Sequence, residues 1–293
     1  MLKISAYHRP ATLTEAASLL ADEGRTIIAG GTDLLVNPRY MRGIREVIDI
    51  QRLGLDYIVV EPGWLRIGAG TTMRQVALHP LIQKLANGIL ARSAAVCASP
   101  NIRNMATLVG NVASALPSAD TPPALLALDA QVVLLSSLGE RVVPLRRFFT
   151  GPAQSIREHE LIRELRLPLQ PIVPPDRRGG FYKVGRSADD ISLVNAAVTL
   201  TIRDGTITSA RLVLGAVAPI PLHCQQAEQA LLKQAVSEAT FERVAELVRA
   251  EVSPISDQRA SAEYRRHISG IAALRALRQA AGQAPQGEEW HHA

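Results

Sequence analysis

Residues 26–34 read Thr26-Ile27-Ile28-Ala29-Gly30-Gly31-Thr32-Asp33-Leu34, a short apolar, β-branched run that ends in two adjacent glycines. The run predicts a buried strand, with a glycine turn at the carboxyl end where α/β sheets place ligands. Backbone N–H groups can turn toward a phosphate there, because glycine lacks a Cβ and tolerates positive φ, and the threonine hydroxyl can donate a hydrogen bond. A tight strand-to-helix turn without any ligand explains the same residues, so both interpretations stay open.

The elements around this loop predict a small α/β unit over residues 1–58. Thr12-x-x-Glu15 is a capping box, so a helix is expected over residues 12–23. Residues 47–50 form a second short apolar run. Two buried strands separated by turn signals favour a parallel sheet.

A second unit is expected over residues 59–175. Strands are predicted at 65–68, 131–136 and 161–167, and helices at 72–85 and 89–98. The polar, glycine-bearing stretch 99–123 is longer than most simple connecting loops, which indicates a function. Pro168, Pro171, Pro174 and Pro175, followed by residues 176–180, predict a linker and a domain boundary between residues 175 and 176.

The remaining residues predict a C-terminal domain over 176–283 and a tail over 284–293. Strands at 196–202 and 206–213 flank Asp204-Gly205, which is a strong hairpin signal. Helices are expected at 224–234, 237–251 and 260–281.

Composition excludes several classes of protein. The 293 residues are 47% hydrophobic and 20% charged, which is typical of a globular chain of two or three domains. We expect no membrane span, and a reduced, cytoplasmic protein, because there is no long apolar run and the two cysteines stand far apart. Two cysteines cannot ligate an iron–sulfur cluster. The net charge of +5 is spread over the chain without aromatic interleaving, so no nucleic-acid partner is expected.

Other chemistries lack their motifs. Gly68-Ala69-Gly70 starts like a dinucleotide fingerprint, but Met73 stands where the third glycine would be, and no P-loop occurs. The histidines form no metal-ligand spacing, and no serine has a nucleophile motif. Cys97 falls in an apolar predicted helix, which predicts a buried, unreactive thiol. We therefore predict no metal site and no catalytic residue in this chain.

A second polar loop runs from Asn101 to Asn111 and continues to Asp120. Its amides, small residues and single acid suit the wrapping of a polyol phosphate with hydrogen bonds. A loop whose asparagines satisfy one another is the structural alternative. Two such glycine-bearing loops in one chain favour the binding interpretation.

Together the two loops resemble the FAD-binding signatures of the flavoprotein (medium) subunits of molybdenum hydroxylases, the xanthine dehydrogenase and carbon monoxide dehydrogenase family. The matching motifs are residues 29–34 and Ile102-Arg103-Asn104-x-Ala106-Thr107-x-x-Gly110-Asn111. Further similar segments are residues 7–12, 149–152, 181–192, 218–221 and 259–265. The resemblance covers about residues 4–275 and is greatest to the separate FAD-binding subunits of bacterial xanthine dehydrogenases.

The resemblance implies an α+β fold. It consists of a vanillyl-alcohol-oxidase/PCMH-type FAD-binding domain in two α/β subdomains, then a domain with a three-stranded antiparallel sheet and a helix bundle. It also implies a cofactor site in which the first loop holds the FAD pyrophosphate, the second loop closes the other side, and the acid accepts from sugar hydroxyls. The residues implied are Ile27, Ile28, Ala29, Gly30, Gly31, Thr32, Asp33, Leu34, Ala106, Thr107, Gly110, Asn111, Asp120, Leu161 and Lys183.

The resemblance further implies two partners, a small subunit with two [2Fe-2S] clusters and a large molybdopterin subunit, in a dimer of heterotrimers. This chain would pass electrons from the clusters through FAD to NAD⁺ or another acceptor while the large subunit hydroxylates a purine, another heterocycle or an aldehyde. One residue departs from the family pattern T-x-G-G-N, because Val109 stands at the first glycine. A valine there would resist positive φ and add bulk. A degenerate subunit that serves as an assembly scaffold is therefore the alternative; a stand-alone FAD oxidase would need a larger substrate domain than the sequence offers.

Overall fold

The computed structural model describes residues 4–36, 42–169 and 176–283. The strands are β1 (Ala6–His8), β2 (Arg25–Ile28), β3 (Glu46–Asp49), β4 (Ile58–Glu61), β5 (Trp64–Gly68), β6 (Gln131–Ser136), β7 (Gly139–Pro144), β8 (Phe149–Gly151), β9 (Gln154–Ser155), β10 (Leu161–Pro168), β11 (Arg177–Val184), β12 (Val194–Arg203), β13 (Thr206–Gly215) and β14 (Leu222–His223). The helices are α1 (Leu13–Leu20), α2 (Met73–Leu78), α3 (Pro80–Lys84), α4 (Ile89–Ala95), α5 (Pro100–Arg103), α6 (Leu108–Ala113), α7 (Thr121–Ala127), α8 (Gln225–Leu231), α9 (Glu238–Glu251) and α10 (Ala262–Ala281). None of the helices in these ranges is long and apolar enough to cross a membrane.

The first unit is a parallel sheet in the order β1-β3-β2, as the sequence predicts. Helix α1 begins where the capping box places it, because the Oγ1 of Thr12 accepts a hydrogen bond from the Glu15 N–H at 3.1 Å. Ala16 and Leu20 on this helix pack against Ile48 of β3. The apolar face of α1 therefore packs against β3 and buries one face of this small sheet.

The second unit is an antiparallel sheet in the order β4-β5-β10-β6-β7, covered by short helices. The single helix predicted over 72–85 is wrong: α2 ends at Leu78 and α3 begins at Pro80. Proline cannot donate to the preceding turn but is tolerated at the first position of a new helix. The polar stretch 99–123 contains α5, α6 and the start of α7.

The third unit is an antiparallel sheet in the order β11-β12-β13-β14, with α8, α9 and α10 on one face. The two-residue β14 adds a short fourth strand to the three that were expected. Asp204 and Gly205 form the predicted hairpin turn, both with positive φ. Phe181, Ala197 and Val213 point to the opposite face and join the apolar core of the second unit.

The linker predicted over 176–180 is wrong for residues 177–180, which begin β11. A Cβ on Gly179 would lie 2.5 Å from the Ala86 carbonyl oxygen, and one on Gly180 would lie 2.0 Å from that of Ala276. The adjacent glycines therefore let backbone from both sides approach the strand, which a linker would not require. Residues 170–175, which hold most of the proline cluster, and the tail 284–293 lie outside the described residues, so the boundary between 175 and 176 stays a prediction.

Candidate cofactor site

The two glycine-bearing loops meet at one cavity of about 480 Å³ between the first and second units. This volume lies in the range of small-molecule sites. The predicted site residues that line it are Ile27, Ile28, Ala29, Gly30, Gly31, Thr32, Asp33, Leu34, Ala106, Thr107, Gly110, Asn111 and Asp120. Segments far apart in the chain are thus brought to one place, and Leu161 and Lys183 are the two predicted residues that do not line it.

The first loop owes its shape to two glycines with different roles. Gly31 has a φ of +70°, which a residue with a side chain rarely adopts. Gly30 instead touches the second loop, because a Cβ there would lie 1.9 Å from the carbonyl oxygen of Met105. Gly30 therefore permits loop-to-loop contact, a role that the sequence interpretation, which assigned both glycines to a phosphate, did not anticipate.

The second loop is held by backbone hydrogen bonds and by a helix cap. Thr107 is the N-cap of α6, with its Oγ1 accepting from the Gly110 N–H at 2.9 Å. The Leu108 N–H donates to the Thr71 carbonyl at 3.0 Å, and the Met73 N–H donates to the Ala106 carbonyl at 2.8 Å. The loop is therefore fixed to the end of β5 and the start of α2 before any ligand binds.

Asn111 also makes hydrogen bonds within the protein. Its Oδ1 accepts hydrogen bonds from the Thr121 hydroxyl at 2.6 Å and from the Thr121 N–H at 3.3 Å. These bonds tie α6 to the first turn of α7. At this oxygen the asparagine stabilises the protein's own structure, as the alternative interpretation of the second loop proposed. The residue nevertheless lines the cavity.

Val109 lies in the first turn of α6 and does not adopt a positive φ. Its side chain is 5% exposed and packs in the core of the second unit. A positive φ at this position is therefore not required, since the backbone here is helical, but the Val109 side chain does line the cavity.

Asp120 is buried, and its carboxylate contacts residues of the third unit. Its Oδ2 lies 3.0 Å from the Nζ of Lys183 on β11, and its Oδ1 accepts from the Ser192 hydroxyl at 2.5 Å. Burial raises the pKa of Asp120, and the Lys183 charge and the Ser192 hydrogen bond oppose that rise. Lys183 also donates to the Val96 carbonyl at 2.9 Å. It therefore contacts Asp120 without forming part of the cavity wall.

Leu161 lies on the wrong face of β10 to reach the cavity. Its side chain is 1% exposed and packs with Ala16, Leu20 and Ile48, whereas its neighbour Ile162 lines the cavity. Successive side chains of a strand point to opposite faces. A shift of one residue in the matched segment therefore moves the expected contact from Leu161 to Ile162.

Among the wall residues that sequence reasoning did not assign to the site are Cys97, Arg157, Ile162 and the loop residues 189–191. Cys97 lies just beyond α4 and not within a helix, and burial, with a smaller effect of the Asp120 charge, raises its thiol pKa to about 12. The thiol is therefore neutral at physiological pH. Arg157 comes from a loop without a glycine pair or amide cluster, so no local signal marked it, whereas residues 189–191 lie in the segment 181–192 that resembles the family.

The residues present fit a flavin dinucleotide. The glycine turn lines the cavity, where its backbone N–H groups could bind a pyrophosphate, and the buried acid Asp120 offers an acceptor for sugar hydroxyls. Ile27, Ile50 and Ile162 supply apolar surface for a flat ring. This mixture of apolar walls and a few polar groups is typical of cofactor sites.

Comparison with known families agrees with this site. The family described as the FAD binding domain in molybdopterin dehydrogenase matches residues 2–170, and the CO dehydrogenase flavoprotein C-terminal domain matches residues 180–280. The xanthine dehydrogenase FAD-binding subunit of Escherichia coli is 36% identical over 279 residues, covering 92% of this chain and 93% of that protein. The carbon monoxide dehydrogenase medium chain of Afipia carboxidovorans is 31% identical over 293 residues, covering 95% and 97%.

Solved structures show the same architecture. Carbon monoxide dehydrogenase from Hydrogenophaga pseudoflava superimposes with a TM-score of 0.90 at 29% identity, over 97% of this chain and 100% of that chain. Quinoline 2-oxidoreductase from Pseudomonas putida gives a TM-score of 0.87 at 29% identity, over 96% and 98%. The predicted vanillyl-alcohol-oxidase-type α+β fold with its C-terminal sheet and helices is confirmed. The chain therefore belongs to the FAD-binding medium subunits of the molybdenum hydroxylase family, as an oxidoreductase subunit.

Proposed function

We propose that this chain binds FAD in the cavity between its two glycine-bearing loops and passes electrons from a partner's [2Fe-2S] clusters to NAD⁺. The observation that carries the proposal is the convergence of residues 29–34 and 106–120 on one cavity. When bound, FAD supplies the redox chemistry, exchanging single electrons with iron–sulfur clusters and a hydride with a nicotinamide.

The residues of this chain hold and orient the cofactor. Backbone N–H groups of residues 28–34 bind the pyrophosphate, and Thr107, Gly110 and Asn111 close the second side. Asp120 accepts from ribityl or ribose hydroxyls. Burial raises the pKa of that carboxyl, and Lys183 opposes the rise, because a cation 3.0 Å away favours the charged form of a buried acid. No general acid or base from this chain is required.

The proposed complex contains two other subunits, a small one with two [2Fe-2S] clusters and a large one with molybdopterin, as a dimer of heterotrimers in the cytoplasm. The relatives support this arrangement by their names, which include a medium chain of carbon monoxide dehydrogenase and an FAD-subunit of nicotinate dehydrogenase. The large subunit would hydroxylate a purine, another heterocycle or an aldehyde. The choice of substrate would then reside outside this chain.

An anaerobic visible spectrum of the purified chain with FAD, before and after addition of NADH, tests the proposal. Flavin bands that NADH bleaches would support both a bound flavin and a nicotinamide partner. Bound flavin that NADH leaves oxidised would retain the FAD site but contradict NAD⁺ as the acceptor.

A colourless chain that still assembles with its partner subunits would favour the scaffold alternative. That alternative rested on Val109, whose helical backbone removes the objection from positive φ, although its side chain lines the cavity. We propose the electron-transfer role because the matching residues of both loops line the same cavity.

A further inference from the structure

The cavity contains a cation that the proposed contacts to FAD do not use. Arg157 lies in the loop between β9 and β10 and lines the cavity. Its Nη2 donates to the Ala113 carbonyl at 3.2 Å, and its Nε donates to the Ser155 hydroxyl at 3.3 Å. Both acceptors are neutral, so the guanidinium is held in place without charge compensation from either.

The nearby carboxylate is already occupied. Glu160 pairs with Arg141 through both oxygens, at 2.6 and 2.7 Å, and no ion pair found within the described ranges includes Arg157. Burial lowers the pKa of Arg157, and the Glu160 charge opposes this only in part. A guanidinium stays protonated in proteins and has five N–H donors. Arg157 therefore places a charge that has no ion-pair partner among the described residues, and spare N–H donors, in the wall of a ligand cavity.

The position of Arg157 indicates which half of a dinucleotide it meets. It precedes β10, the strand that carries Ile162, and it bonds to Ala113 at the end of α6, which packs against that strand. Ile162 lines the cavity and is 4% exposed. Another part of the wall is the loop 189–191 of the third unit, where Ile191 is 44% exposed. The redox-active ring must be reachable by electron donors and acceptors, so it belongs beside the exposed loop. The buried end is left for the adenylate half.

We propose that Arg157 binds acceptor atoms of the adenylate half of FAD and thereby makes the site select the dinucleotide over FMN. This inference rests on the proposed FAD site and deepens it. The flat adenine ring would lie against apolar side chains such as Ile162, and the planar guanidinium would donate to it or to the attached sugar phosphate. A lysine could supply the charge there but not the planar set of donors.

Binding of FAD, FMN and ADP to the full-length apo chain, measured by titration calorimetry, tests the inference. For Arg157→Met we expect FAD and ADP to bind at least about tenfold more weakly, while FMN affinity changes less than about twofold. Arg157→Lys should fall between the wild type and Arg157→Met for FAD. Arg147→Met is the matched control, because Arg147 is exposed and does not line the cavity.

The outcomes distinguish a failure of the proposed role of Arg157 from a failure of the proposed FAD site. Equal losses for FAD and FMN, or unchanged FAD binding in a folded Arg157→Met chain, would overturn the role of Arg157 alone. A wild-type chain that binds neither FAD nor ADP would overturn the FAD site itself. Circular dichroism of each apo variant shows whether it folds, and Arg157→Lys keeps the inference testable if Arg157→Met does not.

Discussion

Replacement of Gly30 by alanine should separate the two loops that form the cofactor site. The added Cβ would lie 1.9 Å from the Met105 carbonyl oxygen, whereas real Cβ contacts essentially never fall below 3.0 Å. The loops must therefore part by about 1.1 Å along this line. The neighbouring atom belongs to the backbone, so no side-chain rotation can relieve the contact.

Overpacking of this kind costs about 1–3 kcal/mol. Because cofactor binding requires both loops to contact one ligand, the cost should appear in the binding free energy. It corresponds to FAD affinity about 5- to 150-fold weaker. Fluorescence titration of the apo Gly30→Ala chain with FAD measures this change directly.

Gly54→Ala is the matched control. Gly54 has a φ of +65°, has no atom within 4 Å of an added Cβ, and does not line the cavity. Alanine there should cost about 1 kcal/mol of stability through backbone strain and leave FAD affinity unchanged. If Gly30→Ala folds and binds FAD within about twofold of the wild type, the loop-contact reasoning is refuted.

Three further substitutions test the supports of the site and the fold. Thr107→Ala should lower unfolding free energy by about 1 kcal/mol in urea titrations because α6 loses its cap, and Thr107→Ser should restore it. Lys183→Met should cost about 3–5 kcal/mol by leaving Asp120 buried without its cation, and a double-mutant cycle with Asp120→Asn should show strong coupling. Asp257 has a pKa of about 2, because hydrogen bonds from backbone N–H groups and from Arg265 outweigh the opposing effect of burial. Its folded-state pKa lies below the ordinary 3.8, so the stability it contributes is present above about pH 4 and lost toward pH 2; acid-unfolding curves of Asp257→Asn should lack that component.

Local signals in the sequence predicted the elements that depend on neighbouring residues. The Thr12 cap, the hairpin turn at Asp204-Gly205 and the strand before Gly30 all occur as expected. Each requires only a short stretch with a particular backbone preference. The break at Pro80 is also a local signal, whereas the strand at residues 177–180 follows from distant contacts.

Gly179 and Gly180 illustrate such distant contacts. A glycine pair after a proline-rich run indicates a linker by composition, yet here it lets Ala86 and Ala276 approach the two faces of a strand. Similarly, the chemistry of Arg157 is invisible in its own loop. It becomes significant because the folded chain brings Ala113 beside it and occupies Glu160 with another arginine.

The sequence alone determined the family, the two glycine-bearing loops and the order of the main elements, because these follow from residue types at short spacing. Only the tertiary structure decided that the loops touch through Gly30, that Ile162 and not Leu161 reaches the cavity, and that Lys183 supports Asp120 from the third unit. The physical reason is that side-chain direction, burial and charge compensation depend on contacts between segments that are remote in the chain.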